Sequence, residues 1–201
     1  MTTHGKAAHS SVPGEGINAI VHMTAVIDYI HRSIEPELAK VSHPLCGAST
    51  ISIGKISGGK QINIVPESCV IEVDRRIIPG EDPYQVMDAI TRQLNTQISR
   101  LGIEHQIDTL LLDWALNTPI DARIVRSAQE AARRLGLNAA PAGATYGSDA
   151  SKLQALKGIP SIVLGPGSIN QAHTVNEWVP VSEVEQAVDF YIGIAESFGE
   201  Q

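Results

Sequence analysis

Cysteine is nearly absent: Cys46 and Cys69 are the two in 201 residues. Two isolated cysteines exclude a disulfide framework and a cysteine-based zinc site. A reducing compartment, by default the cytoplasm, is the expectation. No apolar run approaches the ~18 residues that cross a bilayer. Met1-Thr2-Thr3-His4-Gly5-Lys6 leads into no hydrophobic segment of the signal-peptide kind. Aromatic residues are scarce at 4%, so aliphatic side chains must build the core. Positive charge is in deficit, with a formal net charge of −7, which argues against nonspecific nucleic-acid binding and a polybasic membrane patch. The paired metal-ligand patterns are missing too. There is no His-x-Asp, His-x-His, HExxH or Glu-Glu.

What is present is an ordinary globular composition, 43% apolar, with enough length for one large domain or two small ones. After the turn Val12-Pro13-Gly14-Glu15-Gly16, apolar residues at Ile17, Ile20, Met23, Val26, Ile27, Ile30 and Ile34 predict a helix suited to packing on a sheet. Residues 50 to 56 alternate as a strand, and Gly58-Gly59-Lys60 turns the chain. Residues 68 to 78 alternate again. Cys69, Ile71, Val73 and Arg75 share the more apolar face, and Arg76 projects from the opposite, open one. Asp82-Pro83 starts a second helix with a cap and a proline, and residues 103 to 112 read as a further strand. The pattern is β-α-β-β-α-β, the ferredoxin-like plan. Only residues 1 to 4 remain for its first strand, which is expected to be truncated.

Asn117-Thr118-Pro119 marks the junction. The expected division is 1–112, an α+β unit, and 113–201, the tail of an α/β domain. In the second unit Thr118 is expected to cap a helix closed by Gly136. A short helix runs to Leu156, a buried strand covers residues 159 to 164, and the capping box Ser182-Glu183-Val184-Glu185 opens a last helix.

His173 leaves that strand through Gly165-Pro166-Gly167-Ser168. Ligands of open α/β sheets sit at strand carboxyl ends. A histidine there is a candidate metal ligand, with Glu177 as the group that orients its ring. His9, among small residues in Gly5-Lys6-Ala7-Ala8-His9-Ser10-Ser11-Val12-Pro13, can donate to a developing oxyanion, or it can cap the following helix or pack at the turn. Asn63 and Arg76 together can recognise a carboxylate, or be a turn asparagine and a surface arginine. Gly147-Ser148-Asp149-Ala150 joins a glycine turn to a helix N-terminus, whose free N–H groups suit an anion. His4, His22, His31, His43 and His105 receive no role.

Four segments in order, GKAAHSSVPGEGINAI, INIVPESCVIEVDRRIIPGE, YGSDASKL and GIPSIVLGPGSINQAHTVNEWVPV, resemble the zinc-dependent amidohydrolase/peptidase family. That family includes acetylornithine deacetylase, succinyl-diaminopimelate desuccinylase, aminoacylase and glutamate carboxypeptidase. The resemblance implies a ferredoxin-like lid that dimerises, followed by the end of the catalytic α/β domain. It implies two zinc ions in the complete enzyme (cobalt or manganese as substitutes) and cleavage of the amide bond of an N-acyl amino acid or small peptide. By position, His173 matches a zinc ligand. His9 matches a lid histidine that stabilises the oxyanion in the partner subunit's site. Asn63 and Arg76 match the residues that hold the substrate carboxylate, and Gly147 and Ser148 a loop that approaches substrate. The family's His-x-Asp, bridging aspartate and Glu-Glu pair precede the lid, so this chain is expected to be the second part of such an enzyme and inactive alone. GPGSINQAH points to the acetylornithine deacetylase branch, and Ser151 stands where the desuccinylases carry arginine. The alternative is a noncatalytic ferredoxin-like module that dimerises or senses an amino acid.

Overall fold

A computed structural model describes residues 1–199. The chain divides into two compact units, Met1–Asp113 and Trp114–Gln201. The first contains β1 (Thr2–His4), α1 (Ala19–Tyr29), a π-type turn (Ile30–Ile34), α2 (Glu35–Leu38), β2 (Ser42–His43), β3 (Gly47–Ala48), β4 (Thr50–Gly58), β5 (Ser68–Arg76), α3 (Pro83–Arg100) and β6 (His105–Gln106). Strands β4-β5-β1-β6 form one sheet in that order, every pairing antiparallel. The first strand of the plan thus lies between the third and fourth, which is the ferredoxin-like arrangement. Three residues suffice for β1 because it is paired on both sides. The Met1 ammonium extends the ladder with a 2.9 Å bond to the Ile71 carbonyl.

Local chemistry sets the helix starts. The Asn18 side chain accepts from the amides of Ile20 and Val21, and that of Asp82 from the amide of Gln85 at 2.9 Å. Ala19, Met23, Val26, Ile30 and Ile34 bury the α1 stripe against Cys69 and Ile71 of β5 and Leu94 and Ile98 of α3. Thr3 is fully buried, and its hydroxyl donates to the Ala19 carbonyl at 2.9 Å, fastening β1 to α1. Pro36 has no N–H to return to residue 32. The turn ahead of it widens instead, and the Glu35 amide reaches the Ile30 carbonyl. The strand expected over residues 103 to 112 shortens to His105–Gln106, because β1 offers it only Thr2 and Thr3 as partners.

The second unit holds α4 (Arg123–Arg134), α5 (Ala150–Lys157), a 3₁₀ turn (Ile169–Gln171) and α6 (Val181–Gly199). Helices α4 and α6 approach closely where Gly193 meets Ala131: a Cβ on the glycine would lie 3.2 Å from that of the alanine. The Arg123 guanidinium stacks 4.2 Å from the Phe198 ring centroid. Three expectations fail here. Thr118 does not cap α4, which Ala122 precedes without a side-chain cap; its hydroxyl instead pairs with both backbone groups of Ser161. The capping box does not form. The Pro180 carbonyl opens α6, so Ser182 lies inside the helix, and the Glu183 carboxylate accepts from the Gly167 amide at 2.8 Å. Residues 159 to 164 make no ladder. Among the described residues this unit has no strand to pair with them, and Ile159 is 50% and Val163 45% exposed.

Candidate functional site

Beyond β1 the chain keeps running beside β5's approach. Gly5 N–H donates to the Glu67 carbonyl at 2.9 Å, Val65 N–H to Ala8 at 2.9 Å and Ser10 N–H to Asn63 at 3.0 Å. His9 forms an antiparallel bridge with Ile64. The segments bearing His9 and Asn63 are therefore side by side, both side chains exposed. Lys60 and Glu67 clasp the two ends of the Asn63 loop with a 2.5 Å ion pair. Their hydrogen bond, and after it their charges, raise the lysine above its usual value and lower the glutamate below its own.

The His9 ring is held locally. Its Nδ1 lies 2.7 Å from the Ser11 hydroxyl and accepts from the Ser11 amide at 3.2 Å, within a turn closed by Val12 N–H on the His9 carbonyl. Sequence reasoning gave Ser11 no part. The signal available was a hydroxyl two residues after a histidine, inside a turn.

Arg76 ends β5, with 57% of its side chain exposed, and its Nε donates to Asp74 at 2.8 Å. It is not beside Asn63. The Asn63 loop precedes Ser68, and Ser68 to Arg76 spans about 26 Å of extended strand. One chain thus does not assemble the Asn63–Arg76 pair. Neighbouring Arg75 was placed on the inward face by the sequence, but its partner was not foreseen. It points inward as its alternation demanded and pairs with Glu81 at 2.7 Å.

Ser148 folds over the start of α5. Its hydroxyl accepts from the Ala150 amide at 3.3 Å, its carbonyl from Ser151, and Gly147 beside it is exposed. Asp149 pairs with Lys152 at 2.8 Å, and that hydrogen bond, then the charge, lowers its carboxyl below the usual range.

His173 is exposed and takes a left-handed backbone, φ 63°, the sole non-glycine to do so among the described residues. Glu177 does not orient its ring: the carboxylate accepts from the His173 backbone amide. No group of three or more His, Cys, Asp or Glu able to hold a metal ion occurs among the described residues. No helix among them is long and apolar enough to cross a membrane.

Residues 1–100 match the M20 peptidase dimerisation domain. An acetylornithine deacetylase of Myxococcus xanthus is 30% identical over 92% of this chain and 48% of its own length. A probable carboxypeptidase of Aspergillus niger is 28% identical over 96% of this chain and 44% of that protein. A tripeptidase from Staphylococcus aureus superimposes with a TM-score of 0.77 at 29% identity, covering all of this chain and 50% of that one. The chain spans about half the length of the curated relatives it matches. With the ferredoxin-like sheet, the domain match and hydrolase relatives along its whole extent, the chain belongs to the M20 peptidase family, whose dimerisation domain occupies residues 1–100.

Proposed function

We propose that this chain is the lid and following catalytic segment of a metallohydrolase that cleaves the amide bond of N-acyl amino acids or small peptides. The observation that carries the reading is the bridge between His9 and Ile64, which sets an imidazole and the Asn63 amide on one exposed edge. There His9 donates to the oxyanion of the tetrahedral intermediate, and Asn63 donates to the substrate carboxylate. Arg76 offers a bidentate fork to the same carboxylate, and Gly147 and Ser148 border the substrate. Similarity to an acetylornithine deacetylase supports the N-acyl amino acid as substrate class.

Because Asn63 and Arg76 lie at opposite ends of β5, a site using both draws them from two chains. The reading therefore includes a homodimer through the first unit. The sheet offers β4 for it, a nine-residue edge strand bearing an irregularity between Ile53 and Lys55.

His173 is the one residue assigned to a divalent ion, with zinc the expected metal. A single exposed histidine does not make a catalytic site, which takes about three protein ligands, so the residues present do not fit the ion by themselves.

The test is turnover of N-acetyl amino acids by an active assembly containing this chain. His9→Ala should lower kcat by about 10²-fold; near-normal turnover would remove His9 from the reaction. Mixed His9→Ala and Arg76→Ala chains should recover about one quarter of normal activity, the share expected from random pairing in a two-fold dimer. No recovery would place both residues in the same subunit's site.

A further inference from the structure

We propose that Ser11 is a positioning residue for His9, fixing which ring nitrogen carries the proton. The proposal rests on the reading of His9 as an oxyanion donor, and it says how the donor is kept ready. A backbone N–H can only donate. The Ser11 amide points at His9 Nδ1 from 3.2 Å, so that nitrogen bears a lone pair in the neutral ring. The Ser11 hydroxyl, 2.7 Å from the same atom, rotates to donate to that lone pair and takes no side between the tautomers. A proton on Nδ1 would break one bond and set two N–H groups against each other. The neutral ring's proton therefore sits on Nε2, which has no partner among the described residues.

Loss of the amide bond biases the tautomer by roughly fivefold, and the opposing N–H groups add to the bias. The Nδ1–H form should fall below about 20%. An oxyanion donor needs that arrangement, since the nitrogen offered to substrate must carry hydrogen in the uncharged ring. Asn63 completes the frame. Its carbonyl accepts the Ser10 amide at 3.0 Å, so the turn presenting Ser11 is pinned to the loop presenting the carboxylate ligand.

The experiment is a long-range ¹H–¹⁵N spectrum of the full chain, labelled at histidine nitrogen and held at mildly alkaline pH. Loss of one signal set in His9→Gln identifies the ring. The expected pattern has Nε2 protonated and Nδ1 as a hydrogen-bonded acceptor. Ser11→Ala, which removes the hydroxyl and keeps the amide, should move Nδ1 downfield by several ppm with the proton still on Nε2. Ser11→Thr, which keeps the hydroxyl, should restore the original pattern. A His9 ring protonated on Nδ1 overturns the proposal, and so does a Ser11→Ala spectrum in which neither nitrogen moves. His4 and His105, held by the sheet, report whether the fold is intact. Should they shift in Ser11→Ala, the Ser11→Thr spectrum decides: the original His9 pattern supports the assignment and a changed one overturns it. No turnover is measured, so a failure here leaves the part of His9 in hydrolysis to the His9→Ala assay.

Discussion

Arg75 and Glu81 form a half-sequestered ion pair, 2.7 Å long, with 12% and 25% of the respective side chains exposed. The carboxylate also accepts from the Ile78 amide at 2.9 Å and from the Ser49 hydroxyl at 3.4 Å. It thereby closes the turn after β5 while holding the strand's end. Glu81→Ala would strand a cation whose Nε already lacks a partner. The expected loss is about 2–3 kcal/mol, between that of one hydrogen bond and that of a broken buried pair. Urea unfolding measures it, and a loss under about 0.5 kcal/mol would show that the pair is exposed enough to be dispensable.

Gly5 should tolerate no side chain. A Cβ there would stand 2.1 Å from the Ile17 carbonyl oxygen, backbone that the Lys6–Ile17 bridge holds with bonds of 2.8 and 2.9 Å. Gly5→Ala must break that bridge and is expected to cost about 3 kcal/mol or more. Gly14, whose Cβ would meet open space, is the control. Gly14→Ala should stay within roughly 0.5 kcal/mol of the parent, and equal melting of the two variants would contradict the clash.

The Lys60–Glu67 clasp predicts a pH signature with a definite sign. Glu67 is lowered from 4.5, so its stabilising contribution is present above the unfolded value and fades as pH falls through the lower, folded one. Lys60 is raised from 10.5, so its contribution is present below that value and is lost as pH rises through the folded one. A carboxyl NMR titration should find the Glu67 midpoint below 4.5, and Lys60→Ala should move it up toward 4.5. Molar salt should have the same effect in part, because both groups are exposed. An unmoved midpoint in Lys60→Ala would assign the shift to another group.

Where α4 crosses α6, the 3.2 Å approach to Ala131 leaves Gly193 no room for a branched side chain. Gly193→Leu should push the helices apart and cost about 2 kcal/mol. It should lower the melting temperature followed by circular dichroism without changing the β5–β1 pairing of the first unit. An unchanged melting temperature would mean that the contact opens freely.

The first unit was legible from periodicity because each of its elements has its partner within the same hundred residues. The 68–78 alternation correctly sent Cys69 and Ile71 inward and Arg76 outward, since β5 is buried on one face only. The second unit was read less well. Thr118, Ser182 and residues 159 to 164 carry the local signatures of two caps and a strand. A cap is chosen by competition, however, and a strand exists only beside another. Ser161 captured the Thr118 hydroxyl, and the Pro180 carbonyl displaced the capping box. At the candidate site the residue types were readable, but their assembly was not. The strand read over residues 68 to 78 already set Arg76 far from Asn63, yet the two were grouped on one carboxylate, and Ser11 looked like filler until its amide was seen aimed at a ring nitrogen.

Cys69 lies wholly enclosed under the first helix, and enclosure pushes its thiol up, away from the reactive thiolate. Cys46 is only partly covered. The two sulfurs therefore keep different time. An alkylating reagent marks Cys46 promptly but waits for α1 to lift before it finds Cys69, so the second labelling event is a native stopwatch for separation of that helix from β5.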